Sequence, residues 1–165
     1  YGRRGRALID AMAWTRDVSN QPANIIYPES FVASARRQFA GVAGVTIEVL
    51  DVRAMERLGM GAMIAVGQGS ARPPQMLIVR YRGPSAPTGG PIVLAGKGIT
   101  FDSGGLSLKD PGGMGNMRMD MSGAASVTSG LSTTVRAHAP ARAAAAARAS
   151  EQRRRVMGGF RERGA

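Results

Sequence analysis

Lys97, Asp102, Lys109 and Asp120 stand in a stretch rich in glycine, serine and apolar residues: GKGITFDSGGLSLKD (96–110), followed shortly by NMRMDMSGAAS (116–126). Asp102 and Asp120 are hard oxygen donors suited to Mg, Mn or Zn. A lysine ligates a metal only as the neutral amine, and its ordinary pKa is near 10.4. Burial and a neighbouring dication both push that value down, so Lys97 can serve as a donor beside such an ion. Lys109, if it keeps its charge, can instead face a substrate carbonyl or a developing oxyanion. The same four residues also suit a pair of plain surface salt bridges, and spacing alone leaves both readings open. A phosphate-binding reading of AGKG fails. Gly90 to Gly96 is one residue too long for that loop, and Gly98 stands where Ser or Thr is required. The chain has no cysteine, hence neither a thiolate metal site nor a disulfide framework. Its single histidine, His138, lies in a low-complexity region, so no Ser-His-Asp arrangement is built from it.

Elements must bring these residues together. The run IVLA (92–95) reads as a strand ending on the glycine-rich loop, and α/β proteins place ligand sites beyond such strand ends. Upstream, residues 1–20 predict a helix, with Ala7, Leu8, Ala11, Met12 and Val18 at helical spacing. QPANIIYPES (21–30) is a turn-rich connector, and Asn20, just before it, and Asn24 flank Pro22. A second helix, opened by Pro28-Glu29 or Ser30, buries Phe31, Val32, Ala35 and Phe39. Residues 45–51 are β-branched and predict a strand. VRAMERLG (52–59) predicts a short helix stopped by Gly59. GMGAMIAVGQGS (59–70) suggests a tight turn and strand, and the runs in 74–83 and 89–102 suggest two more strands of the buried parallel kind. MSGAASVTSG (121–130) opens as a helix of small residues. The alternation predicts an α/β layered domain, a mostly parallel or mixed sheet flanked by helices.

A chain of 165 residues with 44% hydrophobic content suffices for one domain with a real core. Much of the net charge of +11 is at one end, since residues 131–165 carry eight arginines and only two glutamates. The texture changes near Thr128, which predicts a folded part over 1–130 and a disordered basic tail over 131–165. A solvated tail is the plain reading, and an arginine arm for nucleic acid is the alternative. No apolar run approaches the roughly 20 residues a membrane helix needs, and no signal peptide is recognisable. These features predict a soluble cytoplasmic protein. The abrupt start, without an initiator methionine, reads as the interior of a longer chain.

GKGITFDSGGLSLK followed by MRMDMSGAA closely resembles the signature of the leucyl (cytosol) aminopeptidases, which are dinuclear-metal exopeptidases. RDVSNQPANIIYPESF and LGMGAMIAVGQGSARPPQMLIVRYRG look like the opening of that family's catalytic domain, so the resemblance runs from about Thr15 to Val127. It implies that Lys97 is the metal-binding lysine and Asp102 the carboxylate bridging two ions. Asp120 would be a ligand of the site shared with the lysine, and Lys109 the catalytic, substrate-contacting lysine that polarises the scissile carbonyl. Met117 would line the pocket for the substrate's first side chain. The implied cofactors are two divalent ions, Mn or Zn with Mg as an alternative, about 3.5–4 Å apart. The implied partners are a peptide substrate and further copies in a hexamer, on a phosphorylase/hydrolase-like fold.

The resemblance also implies a second motif, roughly NTDAEGR, with two more carboxylates and an arginine. The only carboxylate residues after Asp120 are Glu151 and Glu162, in SEQRRR and RERG, which do not resemble it. The expectation is therefore an incomplete metal site on a catalytic-domain fragment, with a non-catalytic remnant as the alternative. The arginine-rich tail is expected to be a frameshift product of GC-rich coding, as only two of the 22 cations are lysine. An exposed sheet edge is expected to make the isolated chain poorly soluble.

Overall fold

The computed structural model describes residues 2–83 and 89–138. In chain order the elements are α1 (Arg3–Asn20), α2 (Pro28–Gln38), β1 (Val45–Leu50), α3 (Val52–Arg57), α4 (Gly61–Gly67), β2 (Met76–Tyr81), α5 (Pro111–Gly115), a 3-10 turn (Asn116–Met119) and α6 (Ser122–His138). The α/β reading holds, with helices flanking a small sheet.

Helix α2 opens at Pro28, whose fixed φ suits a first helical position. The Ser30 hydroxyl accepts the Tyr27 amide at 2.9 Å and donates to the Ile25 carbonyl at 2.7 Å, tying the connector to the helix start. Phe31, Val32, Ala35 and Phe39 are all buried, as their spacing predicts. On α1 the buried residues include Ala7, Ala11 and Val18, whereas Leu8 and Met12 are half exposed. Asp51 caps α3 by accepting the Ala54 amide at 2.8 Å, and Gly59 follows the helix with φ +68°.

Two sequence expectations give way here. The segment read as turn and strand contains α4, because Met60, Met63, Ile64 and Gly67 share one helical face. The strands read as parallel are not. β1 and β2 pair antiparallel, from Val45 opposite Tyr81 to Leu50 opposite Met76. Glu48 and Arg80 form an ion pair of 2.6 Å across this ribbon. The run at 92–94 carries no ladder among the described residues. Its side chains Ile92, Val93 and Leu94 are 92%, 80% and 62% exposed. An apolar run becomes a strand only when a neighbour takes its backbone groups, which hydropathy does not report.

The core joins Val18, Ile26, Phe31, Met121 and Ala125, with Trp14, Leu77 and Ala124 packed against them. Trp14 and Phe31 lie with ring centroids 6.1 Å apart, and the Trp14 Nε1–H donates to Ser34 Oγ at 3.0 Å. This is the core duty expected of the single tryptophan, and the hydrogen bond satisfies its polar edge.

Helix α6 packs along α1, with Thr15 Oγ1 donating to Ser129 Oγ at 2.8 Å. It does not stop where the sequence texture changes. Thr128, Ser132 and Val135 recur at helical spacing and are buried, Val135 completely. Arg136 donates to the Gln38 carbonyl at the end of α2, and so does Ser132 Oγ, at 3.4 Å. Residues 131–138 are therefore helix, packed at Ser132, Val135 and Arg136, which corrects the expectation of disorder for them. Their buried stripe is built largely from small polar residues, so it is invisible to an apolar-period reading. The rest of the predicted tail, 139–165, lies outside the described residues, as do Glu151 and Glu162.

Candidate metal centre

The four residues singled out by sequence are brought into one cluster, as two linked ion pairs. Lys97 Nζ lies 3.1 Å from Asp120 Oδ1, and Lys109 Nζ lies 3.4 Å from Asp102 Oδ2. The pairs are neighbours, because Lys97 also acts electrostatically on Asp102. Each pair is set by a different local device.

Asp102 turns the chain back on itself. Its Oδ1 accepts the Gly104 amide at 2.8 Å. Ser107 N–H donates to the Gly104 carbonyl at 3.2 Å, and Lys109 N–H to the Ser103 carbonyl at 3.0 Å. Gly104 sits at φ +91°, and a Cβ there would collide with the Ser107 carbonyl oxygen, so the turn requires glycine. This pinched loop returns Lys109 to the side of Asp102. The Gly104 amide is the main influence holding the Asp102 carboxyl below its ordinary range. Desolvation opposes it, and Lys109 and then Lys97 add to the lowering. Asp102 is thus an anion ready to meet a cation.

Asp120 follows the 3-10 turn and precedes α6. Its side chain is only 17% exposed. Oδ1 is held by Lys97, while Oδ2 is buried without a hydrogen-bond partner. A buried carboxylate oxygen with no donor is an uncompensated acceptor that a cation would satisfy. Met117 is half-buried on the same turn, and its carbonyl accepts the Asp120 amide at 3.2 Å.

Two carboxylates and one amine fit part of a divalent-ion shell, provided Lys97 gives up its proton to the solvent. Among the described residues no group of three or more His, Cys, Asp or Glu side chains is placed to hold an ion, so Lys97 is the third donor available.

Sequence reasoning gave no role to Asp110, which caps α5 by accepting the Gly113 amide at 2.9 Å. An Asp directly before Pro111 is the available signal. The Gly113 amide, more than any other influence, keeps the Asp110 carboxyl below its ordinary range. A lowered folded pKa means the cap stabilises above the unfolded value of about 3.9 and is lost as pH falls through the folded value. The expected result is that the Gly113 amide resonance titrates with a midpoint below that of an unstructured aspartate. In Asp110→Asn this transition disappears. A midpoint at or above the ordinary value would show that the cap does not form.

Comparison with known proteins identifies the relatives of the chain. The model of the cytosol aminopeptidase family catalytic domain matches residues 13–154. A probable cytosol aminopeptidase of Syntrophotalea carbinolica is 48% identical over 129 residues, covering 78% of this chain and 26% of that protein. The crystal structure of cytosol aminopeptidase from Coxiella burnetii superposes with a TM-score of 0.74 at 28% identity, covering 81% of this chain and 28% of the other. The bottromycin maturation enzyme BotP in complex with Mn superposes at 0.71 with 38% identity, over 81% and 28% of the two chains. The chain thus spans about a quarter of the length of the relatives it matches. Since the family model matches residues 13–154, most of the chain and the whole lysine–aspartate cluster, the chain belongs to the cytosol aminopeptidase family.

Proposed function

We propose that this chain carries the first part of a metallo-aminopeptidase site, which removes N-terminal residues, leucine-like ones foremost, from peptides. The observation that carries the proposal is the joined cluster of Lys97, Asp102, Lys109 and Asp120, with a buried unpartnered oxygen on Asp120. Family membership and a relative that is in complex with Mn support it.

Lys97, Asp102 and Asp120 would hold divalent ions, Mn or Zn with Mg as the alternative, as part of a shell that further donors complete. Bound ions supply the positive charge that makes a water acidic enough to attack a carbonyl near neutral pH. The remaining chemistry belongs to the chain. Lys109, paired with the Asp102 carboxylate at 3.4 Å, presents its ammonium to the substrate carbonyl oxygen, where negative charge develops. Met117 contacts the first side chain of the peptide. Assembly into a hexamer and residence in the cytosol belong to the same proposal; the relatives are named cytosol aminopeptidases. No helix among the described residues is long and apolar enough to cross a membrane.

The test is release of p-nitroaniline from leucine p-nitroanilide by the full chain with added Mn or Zn. The expected outcome is turnover that needs the metal and disappears on chelation. No turnover from folded, metal-loaded protein would leave the non-catalytic remnant as the correct reading of this chain.

A further inference from the structure

We infer that Gly96 and Gly123 are positioning residues that assemble the Lys97–Asp120 half of the metal centre through a side-chain-free backbone crossing. The inference rests on the metal reading given above. Lys97 and Asp120 are 23 residues apart in sequence, and no regular element joins them. What brings them together is contact between the loop segment around Lys97 and the first turn of α6.

That contact is backbone on backbone. A Cβ on Gly96 would lie 2.7 Å from the Ala124 nitrogen and closer still to the Gly123 carbonyl. A Cβ on Gly123 would lie 2.9 Å from the Lys97 nitrogen and 3.2 Å from its carbonyl oxygen. Neither space admits a side chain without separating the two segments. The approach lets the Ala124 amide donate to the Lys97 carbonyl at 2.7 Å. First-turn amides of a helix have no partner within the helix, so this donor comes from the place where one is free. The very next amide, that of Ala125, donates to the Met121 carbonyl at 3.1 Å in the first hydrogen-bonded turn of the helix. The crossing therefore fixes the main chain of Lys97 to the start of α6, next to Asp120. The Lys97 side chain then spans only the short distance to Asp120 Oδ1.

Gly123→Ala separates positioning from folding, because alanine is the better helix former and α6 should persist. Two quantities are read on the full chain: hydrogen exchange of the Ala124 and Ala125 amides without metal, and Mn²⁺ affinity by calorimetry. Gly61→Ala is the control, since a Cβ there meets nothing within 4 Å. In Gly123→Ala the expected result is lost protection at Ala124, kept protection at Ala125, and Mn²⁺ affinity lower by about tenfold to a hundredfold, the scale of an outer-shell change. Gly96→Ala should reproduce this from the other side of the crossing. Unchanged Mn²⁺ affinity with Ala124 exposed would overturn the positioning role alone. Wild-type protein that binds no Mn²⁺ would overturn the metal reading, and this inference with it.

Discussion

Lys109→Ala is expected to lower kcat for leucine p-nitroanilide by about 100-fold to 1000-fold, the cost of removing one donor to a developing oxyanion. The physical ground is the position of the ammonium, 3.4 Å from Asp102 Oδ2 and on a loop pinned by two backbone hydrogen bonds. A charge held in place before reaction needs no reorganisation when the carbonyl oxygen becomes negative. If the interaction is made only in the transition state, kcat and kcat/KM should fall together. Mn²⁺ affinity should hold or rise, since the substitution removes a cation competing for the Asp102 carboxylate. A matching loss of Mn²⁺ affinity would show instead that Lys109 supports the site structurally.

Phe31→Ala is expected to destabilise the fold by about 3–5 kcal/mol, the range for truncating a buried aromatic residue. Phe31 belongs to the central cluster with Val18, Ile26, Met121 and Ala125 and also faces the Trp14 ring. The cavity would open between α1, α2 and the start of α6. Since small domains are held by only about 5–15 kcal/mol, such a loss approaches the whole stability of the weaker ones. Chemical denaturation monitored by Trp14 fluorescence reads it directly. A loss below about 1 kcal/mol would mean the neighbouring side chains close the gap, or that the cluster is loosely packed. Because Met121 follows Asp120 directly, the same variant should also weaken Mn²⁺ binding.

What the sequence determined by itself is local. Pro28 and the apolar spacing of Phe31, Val32, Ala35 and Phe39 specify α2 and its buried face. Asp102 and Gly104 write their own turn, because the carboxylate reaches an amide only two residues ahead. The four candidate residues were legible through their chemistry and the wording of their motifs. Tertiary structure decided everything that depends on who the neighbour is. The stretch with α4 and the run at 92–94 carry similar apolar content. One forms a helix, while the other forms neither helix nor ladder among the described residues. Residues 131–138 read as polar low complexity, yet Ser132 and Val135 are buried because α1 and the end of α2 offer surfaces for small side chains. The antiparallel register of β1 with β2 likewise joins residues far apart in sequence. The Lys97–Asp120 pair depends on two glycines whose value appears only when their backbones meet. Hydrogen bonds and caps spanning a few residues leave a local pattern; contacts between distant segments depend on shape at the point of approach, and a missing side chain leaves no pattern to read.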